Sequence, residues 1–139
     1  MKPTRPHRWL PAYQWLAGLC DFTTGVMLVA TPGWTLRLMG VHAGPQPMEF
    51  AAFVGVFVLS VGVAYWYAAR LPMNATNAAR WQTVWWLTAL SRTLVAGFLF
   101  WKISAGTMET AWLTVALTDG CLAVFQWVGL GRNWLSFKD

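Results

Sequence analysis

Four stretches of this chain are each apolar over about the length needed to cross a bilayer: residues 9–30, 48–69, 81–103 and 110–130. A hydrocarbon core of about 30 Å takes roughly 20 residues of helix. Only helices and closed barrels satisfy every backbone N–H and C=O inside lipid, and runs of this length fit helices. Composition excludes the alternatives. The chain is 57% hydrophobic and 11% charged, whereas a soluble domain carries about 25% charged residues. So few charges cannot cover a water-facing surface, and intrinsic disorder needs low hydrophobicity. The expected fold is all-α: one integral membrane domain over residues 1–139, a transmembrane four-helix bundle.

The punctuation between the runs agrees with this division. Thr31-Pro32-Gly33 stops the first helix, because Pro lacks the amide donor and Gly is flexible. Residues 34–41 then form a short amphipathic segment, with Leu36, Leu38 and Met39 apolar and Arg37 polar, expected to lie in the interface. Gly44-Pro45-Gln46-Pro47 is a loop whose last proline suits the first turn of the next helix. Leu71-Pro72-Met73-Asn74 ends the second span, and Ser104-Ala105-Gly106 leaves room only for a tight turn. The N-terminus has basic Lys2, Arg5 and Arg8, but Asp21 interrupts the apolar stretch and no small-x-small cleavage site follows, so it is expected to be a retained span.

Charge gives the orientation. Lys2, Arg5, Arg8, Arg70, Arg80, Arg132 and Lys138 fall on one side, against Arg37 and Lys102 on the other. The positive-inside rule then places both termini in the cytoplasm. The net charge of +5 is accounted for by topology and contact with anionic lipid, and nucleic acid is not an expected partner.

Three charges lie inside the spans. Asp21, Arg92 and Asp119 all fall close to the midpoint of their helices, as does Ser60 in the second. With alternating helix directions the four share one depth. A charge at bilayer centre costs roughly 2.5–3.5 kcal/mol on insertion scales, so these should face inward and meet one another. The planar fork of Arg92 is suited to bridging two carboxylates. An Asp21–Arg92–Asp119 network with Ser60 beside it is therefore the expected buried polar cluster. It carries a net charge of minus one, met either by a proton on one acid or by hydroxyls and water. Residues seven apart share a helix face. Gln14 lies below Asp21, Tyr67 below Ser60 and Gln126 below Asp119, with Thr88 and Trp85 on the same side of Arg92. The outward halves, such as residues 50–59 and 94–101, are apolar. The polar stripe is thus expected to open toward the cytoplasm. Gly18, Gly25, Gly55, Gly62 and Gly97 offer close packing between helices.

Other chemistry is not signalled. Cys20 and Cys121 lie within spans and are expected to be small buried hydrophobes. His7 and His42 are isolated, so no metal or haem site is expected from this chain alone. There is no phosphate-binding glycine loop, HExxH, GxSxG or CaaX ending. Glu49 and Glu109 are expected as solvated first-turn acids complementing helix dipoles. The chain has 11 Trp, more than interfacial belts require. Trp85, Trp86, Trp112 and Trp127 are candidates for surfaces facing lipid, a pigment or a partner.

One pattern resembles a known group. Gly25-Val26-Met27-Leu28, then Pro32, then residues 36–41, then Gly55 and Gly62 ahead of Tyr65, with Arg92 and Asp119, resemble the DoxX-like small bacterial four-helix membrane proteins. Asp21 and the Trp-rich third span lie outside that pattern. The resemblance implies the fold and a bacterial inner-membrane location. It also implies a quinone-linked setting for some members, and it assigns no catalytic residue.

The leading expectation is a non-catalytic accessory or structural subunit of a bacterial inner-membrane assembly. A bundle with almost no mass outside the membrane leaves little room for an enzyme. Its partners would be lipids and either other membrane subunits or further copies of itself. The alternative is a small binding or proton-coupled transport protein that takes a quinone, lipid or small amphipathic ligand at the Asp/Arg/Asp cluster. No cofactor is expected to be held by this chain alone beyond such a quinone or lipid.

Overall fold

The computed structural model describes residue 7, residues 9–42 and residues 48–136. The loop over Gly44-Pro45-Gln46-Pro47 and the basic residues Lys2, Arg5, Arg8 and Lys138 lie outside the described residues. Everything regular in the described part is helical: α1 (Leu10–Ala30), α2 (Pro32–Leu38), α3 (Glu49–Ala69), α4 (Ala75–Ser104), a 3-10 turn (Thr110–Trp112) and α5 (Leu113–Gly131). Among the described residues, three helical segments are long and apolar enough to cross a membrane: Glu49–Ala69, Ala75–Ser104 and Thr110–Gly131. The first helix has the length, at 21 residues. Gln14, Asp21, Thr23 and Thr24 dilute its apolar character, so the expected fourth span does not follow from length and composition alone.

Local chemistry sets the boundaries. Pro32 closes α1 and takes the first turn of α2, where a missing amide donor costs nothing. Helix α2 buries Thr35 and Leu36 and exposes Trp34, Arg37 and Leu38. Helix α4 begins at Ala75, six residues before the span expected from residue 81. Its polar first turns resemble a loop in sequence, but the Asn74 side chain accepts the Asn77 N–H at 3.1 Å and caps the helix. At 30 residues α4 is about 45 Å long, longer than the roughly 30 Å that a hydrocarbon core requires. Helix α5 ends in a left-handed residue, Asn133, at φ 56°. The Trp134 N–H bonds back to the Gly129 carbonyl at 3.0 Å and the Asn133 N–H to that of Leu130 at 3.1 Å, the paired bonds of a Schellman ending. This reversal turns the chain under the bundle and buries Leu135 against Leu10, Ala68, Trp81, Val84 and Trp85.

The helices associate as two tight pairs, α1 with α3 and α4 with α5. In the first, antiparallel pair, Gly18 lies against Gly62 and Gly25 against Gly55, so the backbones approach closely. In the second, Gly120 faces Ala96. Gly97, counted with the packing glycines in the sequence, has no atom near its Cβ position and packs nothing. The pairs are joined at the end bearing Leu10 and Leu135 by the cluster just described. At the other end Leu28, Leu36 and Val41 pack with Met48, Ala51, Ala111 and Trp112. There Glu109 is exposed, as expected, and its carboxylate also accepts the His42 backbone N–H at 3.0 Å, tying the loop after α2 to the start of the 3-10 turn.

Candidate functional site: an ion triad between the helix pairs

Arg92 stands on the buried face of α4 and reaches three other helices. One terminal guanidinium nitrogen donates to Asp21 on α1 and the other to Asp119 on α5. The Nε–H donates to the Tyr65 hydroxyl on α3 at 3.4 Å, and the guanidinium lies 5.8 Å from the centre of the Tyr65 ring. Each donor edge of the fork thus has a different helix as its partner. Opposed, fixed acceptors of this kind suit a planar guanidinium and would not suit the compact ammonium of lysine.

Ser60 is not part of this cluster. It is exposed, and its hydroxyl donates to the Phe57 carbonyl of its own helix at 2.7 Å, a common way for a serine in apolar surroundings to satisfy itself. Tyr67 is likewise turned outward, at 52% exposure. The interior face of α3 runs through Gly55, Gly62, Tyr65 and Ala68, about half a turn away from Ser60 and Tyr67. The α3 member of the site is therefore Tyr65. The signal was present in its spacing of three from Gly62, one of the residues that mark the face against α1.

Gln14 and Gln126 are fully buried, but they do not line an opening. The Trp85 indole N–H donates to Gln14 Oε1 at 2.8 Å, and Gln14 Nε2 donates to the Tyr65 carbonyl at 3.2 Å. Gln126 Nε2 donates to the Thr88 hydroxyl at 2.8 Å. These amides fasten α1 to α3 and α4, and α5 to α4. Trp81, Trp85 and Tyr65 fill the space around them. The half of the interior expected to be wet is thus the densely packed half. The carboxylates are less enclosed: the Asp21 and Asp119 side chains keep 13% and 18% exposure, against 7% for Arg92. Trp85→Phe should lower stability by about 1–3 kcal/mol, the cost of leaving a buried acceptor on Gln14 unpaired. Denaturant unfolding in micelles measures it, and an unchanged midpoint would mean that Gln14 finds another partner.

The remaining candidates distribute as follows. Trp85 belongs to the core, whereas Trp86 and Trp127 are exposed and meet edge to face at 6.4 Å. The Trp127 indole also donates to Thr93 at 3.0 Å. Trp112 is half-buried among the residues at the far end. Cys20 and Cys121 are exposed free thiols and not core residues. Their faces of α1 and α5 lie away from the helix pairings. Among the described residues no three His, Cys, Asp or Glu side chains come together as a metal-binding group.

Comparison of the chain with protein-family models, with curated proteins and with solved structures finds no match in any of the three.

Proposed function

We propose that this protein is a non-catalytic, four-span structural subunit of a bacterial inner-membrane assembly, and that its ion triad is an internal clamp. In this reading α1 is the fourth span, with Gln14 and Asp21 turned into the bundle, and α2 lies in the membrane interface with Trp34 and Leu38 toward lipid. The observation that carries the proposal is that Arg92 on α4 engages α1, α3 and α5 at once. Each of the three guanidinium nitrogens is tied to a different helix, and a charge network shared by every span fixes their register. Around this clamp the outer faces are apolar and aromatic, with Phe50, Phe53, Phe57, Trp101 and Val124 exposed. Such faces suit lipid and neighbouring transmembrane chains. A location in the bacterial inner membrane accords with the resemblance to DoxX-like proteins.

Extraction in mild detergent followed by native electrophoresis and mass spectrometry tests the assignment. The expected result is a stable complex containing other membrane chains. A monodisperse species of this chain alone that catalyses proton-coupled uptake in liposomes would overturn it. Orientation is tested separately with single cysteines in a background lacking Cys20 and Cys121. A cysteine at exposed Thr107 should react with an impermeant reagent from the periplasm, and one at exposed Thr76 should not. The reverse pattern would invert the topology and place both termini outside.

A further inference from the structure

We infer that the triad also receives a cationic amphiphile from within the bilayer, through the seam between α1 and α5, with an ammonium headgroup seated on Asp21 and Asp119. Three observations converge on this. As formal charges, two carboxylates and one guanidinium sum to minus one. Each carboxylate uses only one oxygen on Arg92, and among the described residues the other oxygen of each has no donor. Neither of these free oxygens is sealed from the surface. Two open acceptors in an apolar slab, within a triad of formal charge minus one, favour a group that brings both N–H donors and positive charge.

The route follows from the packing. Asp21 has α3 on one flank, where Gly18 and Gly25 meet that helix. Asp119 has α4 on one flank, where Gly120 meets Ala96. The other flanks carry Thr24 on α1 and Val115 and Leu122 on α5, all only half-buried. Helices α1 and α5 are not among the pairs whose backbones pack together. Toward Leu10 the seam is closed by aromatic contacts, Tyr13 to Phe125 at 4.9 Å and Trp9 to Phe125 at 5.6 Å. An approaching molecule must therefore come sideways from lipid, which selects an amphiphile over a hydrated ion. The inference rests on the clamp reading only in using the same triad. Complex formation and amine binding are measured independently, so either can fail alone.

The test is a calorimetric titration of dodecylammonium into the full-length protein in phosphatidylcholine nanodiscs, with neutral dodecanol as the comparison and empty nanodiscs as the partition blank. The expected result is saturable binding of one dodecylammonium per chain and none of dodecanol. Asp119→Asn and Asp21→Asn should each weaken it by about ten- to a hundredfold, the range for one charge-assisted hydrogen bond. Since those variants alter the clamp, Thr24→Trp supplies an arm that leaves the triad intact and fills the seam. It should abolish binding while the unfolding midpoint stays near wild type. Equal binding by wild type and Thr24→Trp, saturable binding of dodecanol, or heats no larger than the blank would each overturn the proposal.

Discussion

Arg92→Leu is expected to be the most damaging single charge substitution in the protein, with a loss of about 3–5 kcal/mol. The substitution removes the partner of two carboxylates at once and the donor to Tyr65. The damage comes mainly from what remains: Asp21 and Asp119 left in an apolar interior without a cation. This predicts a specific pattern of rescue. Arg92→Leu combined with Asp21→Asn and Asp119→Asn should recover most of the lost stability, because a neutral, well-packed replacement for a buried ion network is often close to neutral in cost. Arg92→Lys should recover little, because one ammonium cannot present separate N–H groups to α1, α3 and α5. Unfolding in mixed micelles, followed by circular dichroism, reads all of these on one scale. If Arg92→Leu is as stable as wild type, the triad is not a clamp. If the triple variant is as damaged as the single, the guanidinium acts through packing and not through charge.

Much of this site was legible from spacing alone, and what was missed has a physical cause. Asp21, Arg92 and Asp119 stood out because charges in apolar runs are costly, and cost is visible without coordinates. Ser60 was misplaced because depth along a helix was used where azimuth decides. It shares the level of the triad and points the other way, and a hydroxyl that bonds to its own helix tolerates lipid. Tyr65 was passed over because an aromatic in an apolar run carries no such cost. The burial of the polar stripe differs from the expectation for a related reason. Gln14 and Gln126 count as polar in sequence, but amides that are fully buried and bonded to Trp85 and Thr88 fasten helices together and present no exposed surface. The early start of α4 and the fold-back of Leu135 depend on single residues, Asn74 and Asn133, whose capping geometry outweighs the polar composition around them.

The glycines of the α1–α3 contact carry the second large expected effect, in sharp contrast to Gly97 on α4. A Cβ on Gly62 would stand 2.5 Å from the Phe22 amide nitrogen and 2.9 Å from the Gly18 carbonyl oxygen. One on Gly25 would stand 2.5 Å from the Leu59 amide nitrogen. These neighbours are helix backbone, which cannot rotate aside, so the helices must separate to admit even a methyl group. Separation would draw Tyr65 and Asp21 apart and slacken the triad as well. Gly62→Ala and Gly25→Ala should therefore each cost at least the 1–3 kcal/mol of ordinary overpacking, about 3 kcal/mol or more where the clash is with backbone on both sides. The double variant should cost less than the sum, because one separation relieves both clashes. Gly97 is the internal control. Nothing lies within 4 Å of its Cβ position, so Gly97→Ala should stabilise α4 by about 0.5–1 kcal/mol through helix propensity. The three alanine variants make the same chemical change in helices of the same chain, and their unfolding midpoints should move in opposite directions. Destabilisation by Gly97→Ala would mean that this exposed face is occupied by another chain. Tolerance of Gly62→Ala would mean that α1 and α3 do not approach as closely as their glycines permit.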